Sequence, residues 1–276
     1  MPKHYVCITL DFDSVSLWQA MGQTGPSAIS RGEFGVIAAQ RLLRLFAEFQ
    51  VPTTWFIPGL TIDTYPDICS SIAADGHEIG HHGYHHIAPA QLDRDAELQQ
   101  LDMGIARIEQ ICGCAPRGYR SPAWELSKNT VELLLSRNFV YDSSMMGHDH
   151  LPYRARQGDV VTQEQPIQFG TPSELWELPI SWSLDDFPHF EYFRGNGLRP
   201  AAGVLQNWLE DFRFMQEETD RSGGQGVLTY TLHPFVIGRG HRLRMLRTLL
   251  TELKDLGANF LTAEQAIASF AAEPGA

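Results

Sequence analysis

Tyr5-Val6-Cys7-Ile8-Thr9-Leu10-Asp11-Phe12-Asp13 is a short apolar run, rich in β-branched side chains, that ends on two carboxylates one residue apart. Such a run reads as a buried strand that emerges from the core at its polar end. Positions i and i+2 of a continuing strand point to the same face, so Asp11 and Asp13 share one.

Outward from this stretch the chain alternates. Ser30-Arg31-Gly32-Glu33 has capping-box spacing and predicts a helix over residues 34–49. A strand over 53–57 stops at Pro58-Gly59, and a helix over 63–74 ends at Asp75-Gly76. A third strand end follows at 77–80. The helix predicted over 91–112 sets Leu98, Leu101, Ile105, Ile108 and Ile111 on one face. Beyond it come a strand end at 118–120, a helix over 128–137, and strands over 139–141, 175–180 and 227–232. Helices near 200–219, 242–256 and 263–272 complete the pattern. Strand and helix in turn predict an α/β fold with a mostly parallel sheet. Between 144 and 173 the periodicity fails, which predicts a long loop or insertion over the active face. Without an internal repeat or a linker, residues 1–276 read as a single catalytic domain.

The 276 residues, 43% of them hydrophobic, are enough for one large core. A net charge of −12 argues against tight non-specific binding to nucleic acid or to an anionic membrane. No stretch approaches the length of a membrane span, and the N-terminal apolar run is too short for a secretory signal, so a cytoplasmic location is expected. Cys7, Cys69, Cys112 and Cys114 have neither zinc-knuckle nor thioredoxin-like spacing and read as reduced thiols without chemistry.

The polar residues fall where strands end. Asp11 and Asp13 follow the first strand, His82 and His86 the third, Arg120 the fourth, Asp142 the fifth and His233 the last. In a barrel of parallel strands these ends share one rim, where catalytic groups gather. His82 and His86, four apart, could bind one divalent ion with a carboxylate from another strand, a set that suits zinc. His81 and His85 are alternative ligands that spacing leaves open. One of Asp11 and Asp13 could ligate the ion while the other takes a proton from a water. His233, in Leu232-His233-Pro234, could protonate a leaving amine. Taken singly, each feature also reads as a turn cap or a satisfied core residue; their coincidence at strand ends carries the argument.

Asp11-Phe12-Asp13, His82-Gly83-Tyr84-His85-His86, Arg120-Ser121-Pro122 and Leu232-His233-Pro234 stand in the order found in polysaccharide deacetylases, carbohydrate esterase family 4. The chain resembles that family from about residue 5 to about residue 267. The resemblance implies a distorted (β/α)7 barrel and hydrolysis of an amide with one divalent ion: zinc first, with cobalt, nickel or manganese as alternatives. Carried over residue by residue, it makes Asp13, His82 and His86 the metal ligands, Asp11 the general base and His233 the general acid. Arg120 is similar to the arginine that orients the base, and Asp142 more loosely to a carboxylate that supports the arginine or the acid. A backbone N–H near Ala123 would receive the developing oxyanion.

This sequence departs from the commonest family pattern at several places. Phe12 splits the usual aspartate doublet, Gly83 follows the first ligand histidine, and Ala123 stands where an aromatic is common, with Trp124 one place later. Thr231 lies two before the histidine, where leucine is usual. These variants resemble a cytoplasmic, often tetrameric subgroup of peptidoglycan deacetylase-like proteins, allantoinases and cyclic-imide hydrolases. Two substrate classes follow: an N-acetylated aminosugar or glycan, with Tyr84, Trp124 and Trp182 as stacking surfaces, or a small cyclic amide, imide or ureide, with Asp185 and Asp186 as contacts, a pair that also reads as a solvated turn. A non-catalytic glycan-binding protein is a third reading, disfavoured by the acid and base together.

Overall fold

The computed structural model describes residues 3–192 and 197–272. β1 (Lys3–Asp11) opens the sheet and is followed by α1 (Ser16–Ala20) and α2 (Pro26–Phe49). Then come β2 (Thr53–Ile57), α3 (Gly59–Thr64), α4 (Pro66–Ala74) and β3 (Glu78–His81). α5 (Arg94–Cys112), β4 (Gly118–Tyr119), α6 (Thr130–Ser136) and β5 (Tyr141–Asp142) follow. β6 (Tyr153–Gln157) and β7 (Thr171–Glu177) precede α7 (Asp186–Phe190) and α8 (Ala201–Ser222). β8 (Gln225–Leu232), α9 (Pro234–Ile237), α10 (Gly240–Asp255), β9 (Asn259–Phe260) and α11 (Ala263–Ala271) end the chain.

The strands form one curled sheet in the order β6-β7-β5-β4-β3-β2-β1-β8, with β9 also against β1. Every pairing is parallel except β6 with β7. This is the expected distorted barrel, left open along β8, where Asp185 forms an isolated bridge to Thr231.

Period two along β1 divides the core. Val6, Ile8 and Leu10 face the helices and join a cluster with Leu42, Phe46, Trp208, Leu246 and Leu250. Tyr5 and Cys7 face the barrel interior with Phe56, Tyr141, Trp176 and Val227, and α11 plugs this floor with Ile267 and Phe270. The interior column therefore runs Tyr5, Cys7, Thr9, Asp11, from an apolar floor to a polar rim.

Three local expectations are corrected. Ser30 does not start a helix: α2 begins earlier, at Pro26 behind Gly25, and the Ser30 hydroxyl donates to Ser27 O inside it. Proline at the first helical position supplies the required φ, which outweighs the capping-box spacing downstream. The helix predicted over 63–74 is two helices, α3 and α4, divided at Tyr65 (φ −132°) because the residue before Pro66 is driven from the helical region.

The segment 144–173 is not a structureless loop. It contains β6 and the start of β7, an antiparallel hairpin on the sheet edge with a further bridge between Val160 and Gln168. Since β7 runs parallel to β5, the hairpin tip projects from the rim opposite Asp11. Guanidinium groups lie over aromatic rings on both strands, Arg154 on Trp176 at 3.9 Å and Arg156 on Phe169 at 4.7 Å, so hydrophobic alternation is blurred. Among the described residues, no helix is long and apolar enough to cross a membrane.

Candidate active site

β1 delivers Asp11 at its last position, and the chain turns at once through Ser14, at φ 51°. The turn is held by Asp13 O, which accepts from Ser16 N–H (3.0 Å), Ser16 Oγ (2.7 Å) and Thr61 Oγ1 (2.7 Å). Asp13 is thereby fixed with its carboxylate pointing inward, 2% exposed.

His82 and His86 meet it from the loop after β3. Each Nε2 lies 3.3 Å from Asp13 Oδ1, an oxygen that is buried and has no hydrogen-bond donor. The His82 Nδ1–H donates to Arg120 O at 2.7 Å, so the Nε2 lone pair faces the carboxylate. His86 reaches this position through a left-handed backbone (φ 58°). Burial works against the Asp13 charge, but the imidazoles of His86 and His82 overcome it and hold the carboxyl well below its usual range. Burial likewise works against charge on His82, which Asp11 and Asp13 nevertheless raise.

An orphaned carboxylate oxygen converging with two imidazole nitrogens is a polar arrangement that protein partners leave unsatisfied. Two nitrogens and one oxygen, with no fourth side chain among the described residues closing the set, fit a divalent cation.

The alternative ligands turn away. His81 Nε2–H donates to Leu101 O at 3.1 Å, while its Nδ1 accepts from Gly83 N–H at 3.0 Å. Burial lowers its pKa to about 4. His85 faces Gln100, whose Oε1 accepts from the His85 backbone N–H at 2.9 Å.

Arg120 is fully buried and lies 4.3 Å over the Phe56 ring. Its Nη1 donates to Asp11 Oδ1 at 2.9 Å and to Thr9 Oγ1 at 2.8 Å, while Nε and Nη2 donate to Ser143 O and Oγ, each at 2.9 Å. Asp142, expected to support the arginine or the acid, meets Ser144 instead. Its Oδ1 accepts from Ser144 Oγ at 2.6 Å, and Ser143 makes the direct contacts.

His233 enters from the end of β8, with Nε2 3.8 Å from Asp13 Oδ2. Its Nδ1–H donates to Asp186 Oδ1 at 2.9 Å, and its backbone N–H donates to the same oxygen at 2.9 Å. Burial opposes charge on the ring, but Asp185 and Asp186 lift its pKa well above the usual imidazole value. The sequence offered Asp186, with Asp185, as a substrate contact or a solvated turn and not as a partner of His233; the signal available was its place at the start of a short helix near the rim.

The expected pocket residues differ in burial and in partners. Asp185 is buried, accepts from Phe187 N–H at 2.8 Å as the cap of α7, and lies 3.4 Å from His233 Nδ1. Tyr84 is also buried, its hydroxyl donating to Asp63 Oδ2 of α3 at 2.5 Å. Trp124 is 8% exposed but stacks on Trp182, 45% exposed, at 4.0 Å and 25°. Together the two indoles make a wall of which Trp182 is the outer layer. Ala123, also exposed, sits beside them at φ 57°.

Three candidate cation ligands thus converge on a barrel rim, flanked by an arginine-held carboxylate and a carboxylate-held imidazole. Residues 32–141 match the family model described as polysaccharide deacetylase. The peptidoglycan deacetylase of Helicobacter pylori is 33% identical over 275 aligned residues, covering 93% of this chain and 92% of its own. A solved structure from Mycobacterium smegmatis, assigned as a polysaccharide deacetylase, superposes with TM-score 0.80 at 32% identity, covering 97% of this chain and 90% of that one. Puue allantoinase also superposes with TM-score 0.80, at 21% identity and over 99% of this chain and 92% of its own, which is a likeness of fold. The chain belongs to the polysaccharide deacetylase family of hydrolases, which act on carbon–nitrogen bonds.

Proposed function

We propose that this protein removes N-acetyl groups from an aminosugar glycan of the peptidoglycan or chitin type. The observation that carries the reading is the convergence of Asp13, His82 and His86 beside Asp11 and His233. Similarity to a peptidoglycan deacetylase over nearly the whole chain favours a glycan over a cyclic amide, as does the indole wall ending in exposed Trp182.

Asp13, His82 and His86 would hold one divalent ion, zinc by its donor set, which when bound polarises the amide carbonyl and makes a water more acidic. Asp11 takes the proton from the attacking water. Its geometry is set by Arg120, whose buried guanidinium donates to Asp11 Oδ1. His233 gives a proton from Nε2 to the departing nitrogen, while Asp186 holds Nδ1–H and with it the ring orientation.

The test is acetate release from N-acetylglucosamine oligomers and peptidoglycan fragments, set against ring opening of allantoin and succinimide. Turnover of the oligomers alone is expected. Turnover confined to the cyclic compounds would transfer the reading to the second substrate class.

A further inference from the structure

Asp142 and Glu177 are cross-strand neighbours on β5 and β7, both without solvent exposure. One oxygen of each is well used. Asp142 Oδ1 accepts from Ser144 Oγ at 2.6 Å, and Glu177 Oε1 accepts from the backbone N–H groups of Ser144 (2.8 Å) and Met145 (2.7 Å). The other oxygens, Asp142 Oδ2 and Glu177 Oε2, are buried without a donor, on residues paired across the two strands. Two ionised carboxylates on paired strand positions and away from water repel strongly and leave both oxygens unsatisfied. A single proton between them satisfies both.

We propose that Asp142 and Glu177 share one proton, and that the pair is a positioning device which sets the turn carrying Arg120 and Trp124 for amide hydrolysis. The proposal rests on the deacetylase reading above for its link to catalysis. Ser144 Oγ is the pivot. It donates to Asp142 and accepts from Ser121 N–H at 2.8 Å, the first residue of a turn in which Ala123 and Trp124 both take left-handed backbones (φ 57° and 58°). Such conformations persist where their surroundings over-determine them. Ser143, between the acid and the pivot, holds the guanidinium that holds Asp11.

Burial raises both carboxyls, Asp142 to about 6 and Glu177 well above the usual carboxylate range. The hydroxyl that Ser144 donates to Asp142 favours the charge on Asp142 and the proton on Glu177. The other titratable groups facing the pair are the phenols of Tyr119 and Tyr153. A carboxyl raised on folding stabilises fully below its unfolded pKa, and that contribution is lost as pH climbs towards the folded value.

Glu177→Gln keeps a donor towards Asp142 and an acceptor for the two backbone groups, so it replaces the protonated acid without its titration. Its melting temperature is expected to match wild type at about pH 5 and to exceed it increasingly towards about pH 8. Ser121 amide exchange and kcat should stay within about threefold of wild type. In Asp142→Asn/Glu177→Gln two amide donors face each other, and Ser121 protection and kcat should fall by far more than the single changes combined. An infrared difference spectrum of wild type minus Glu177→Gln at neutral pH should show a neutral carboxylic acid, a readout independent of any substrate. Absence of that band, or a Glu177→Gln protein that folds yet loses Ser121 protection and kcat, overturns the proposal. Both structural readouts as expected, with no acetate released by wild type, would instead count against the deacetylase reading.

Discussion

Asp11 meets Arg120 with neither side chain open to water, so the pair is more than a surface contact. Removing one member of such a pair leaves a buried charge uncompensated, typically at about 3–5 kcal/mol. Asp11→Asn keeps an acceptor for the guanidinium but has no basic oxygen for a water proton. It is expected to lower kcat by roughly 10²–10⁴ while metal content stays at wild-type level, measured by acetate release and elemental analysis. Asp186→Asn should lower kcat on the order of 10² with KM little changed, because the His233 ring loses the carboxylate that orients it. Asp186 itself was hard to read because 47 residues separate it from His233, and their meeting depends on the 185–186 segment lying along the free edge of β8. By contrast, Asp11, Asp13, His82, His86 and Arg120 were legible because each sits within a few residues of a strand end. His81 and His85 could not be separated from the ligand pair by spacing, since their exclusion depends on Leu101 and Gln100 of α5.

α5 matters to the site through its packing on β3. Gly104 of α5 lies against the His81 imidazole so closely that an added methyl group would overlap the ring. Gly104→Ala should destabilise the fold by about 1–3 kcal/mol and loosen the His82–His86 loop, seen as a lower denaturation midpoint together with weaker metal retention. The indole wall belongs to the turns after β4 and β7, and its outer member is accessible. Trp182→Ala is expected to raise KM for glycan oligomers about three- to tenfold with kcat little affected, the worth of an aromatic contact of ~1 kcal/mol. Elements with one apolar face were readable from period alone. The hairpin of β6 and β7 was not, because arginines stacked on its aromatics hide the alternation, and its tip lies opposite the rim where a lid was expected.

Over the whole molecule, parallel strands bring Asp13 and the His82–His86 loop to one rim although about 70 residues of sequence lie between them. An apolar floor closed by α11 supports this rim, so the polar column above it has little freedom to rearrange. The substrate was the least legible feature in the sequence, since it depends on the surface above the rim rather than on the residues that build it. The most direct measurement is a titration of zinc into metal-stripped protein, following acetate release from N-acetylglucosamine oligomers. Activity should be absent at the start, rise in proportion to added ion and level off at one equivalent. Full activity in the stripped protein, with loss of metal verified, would contradict the assignment of Asp13, His82 and His86.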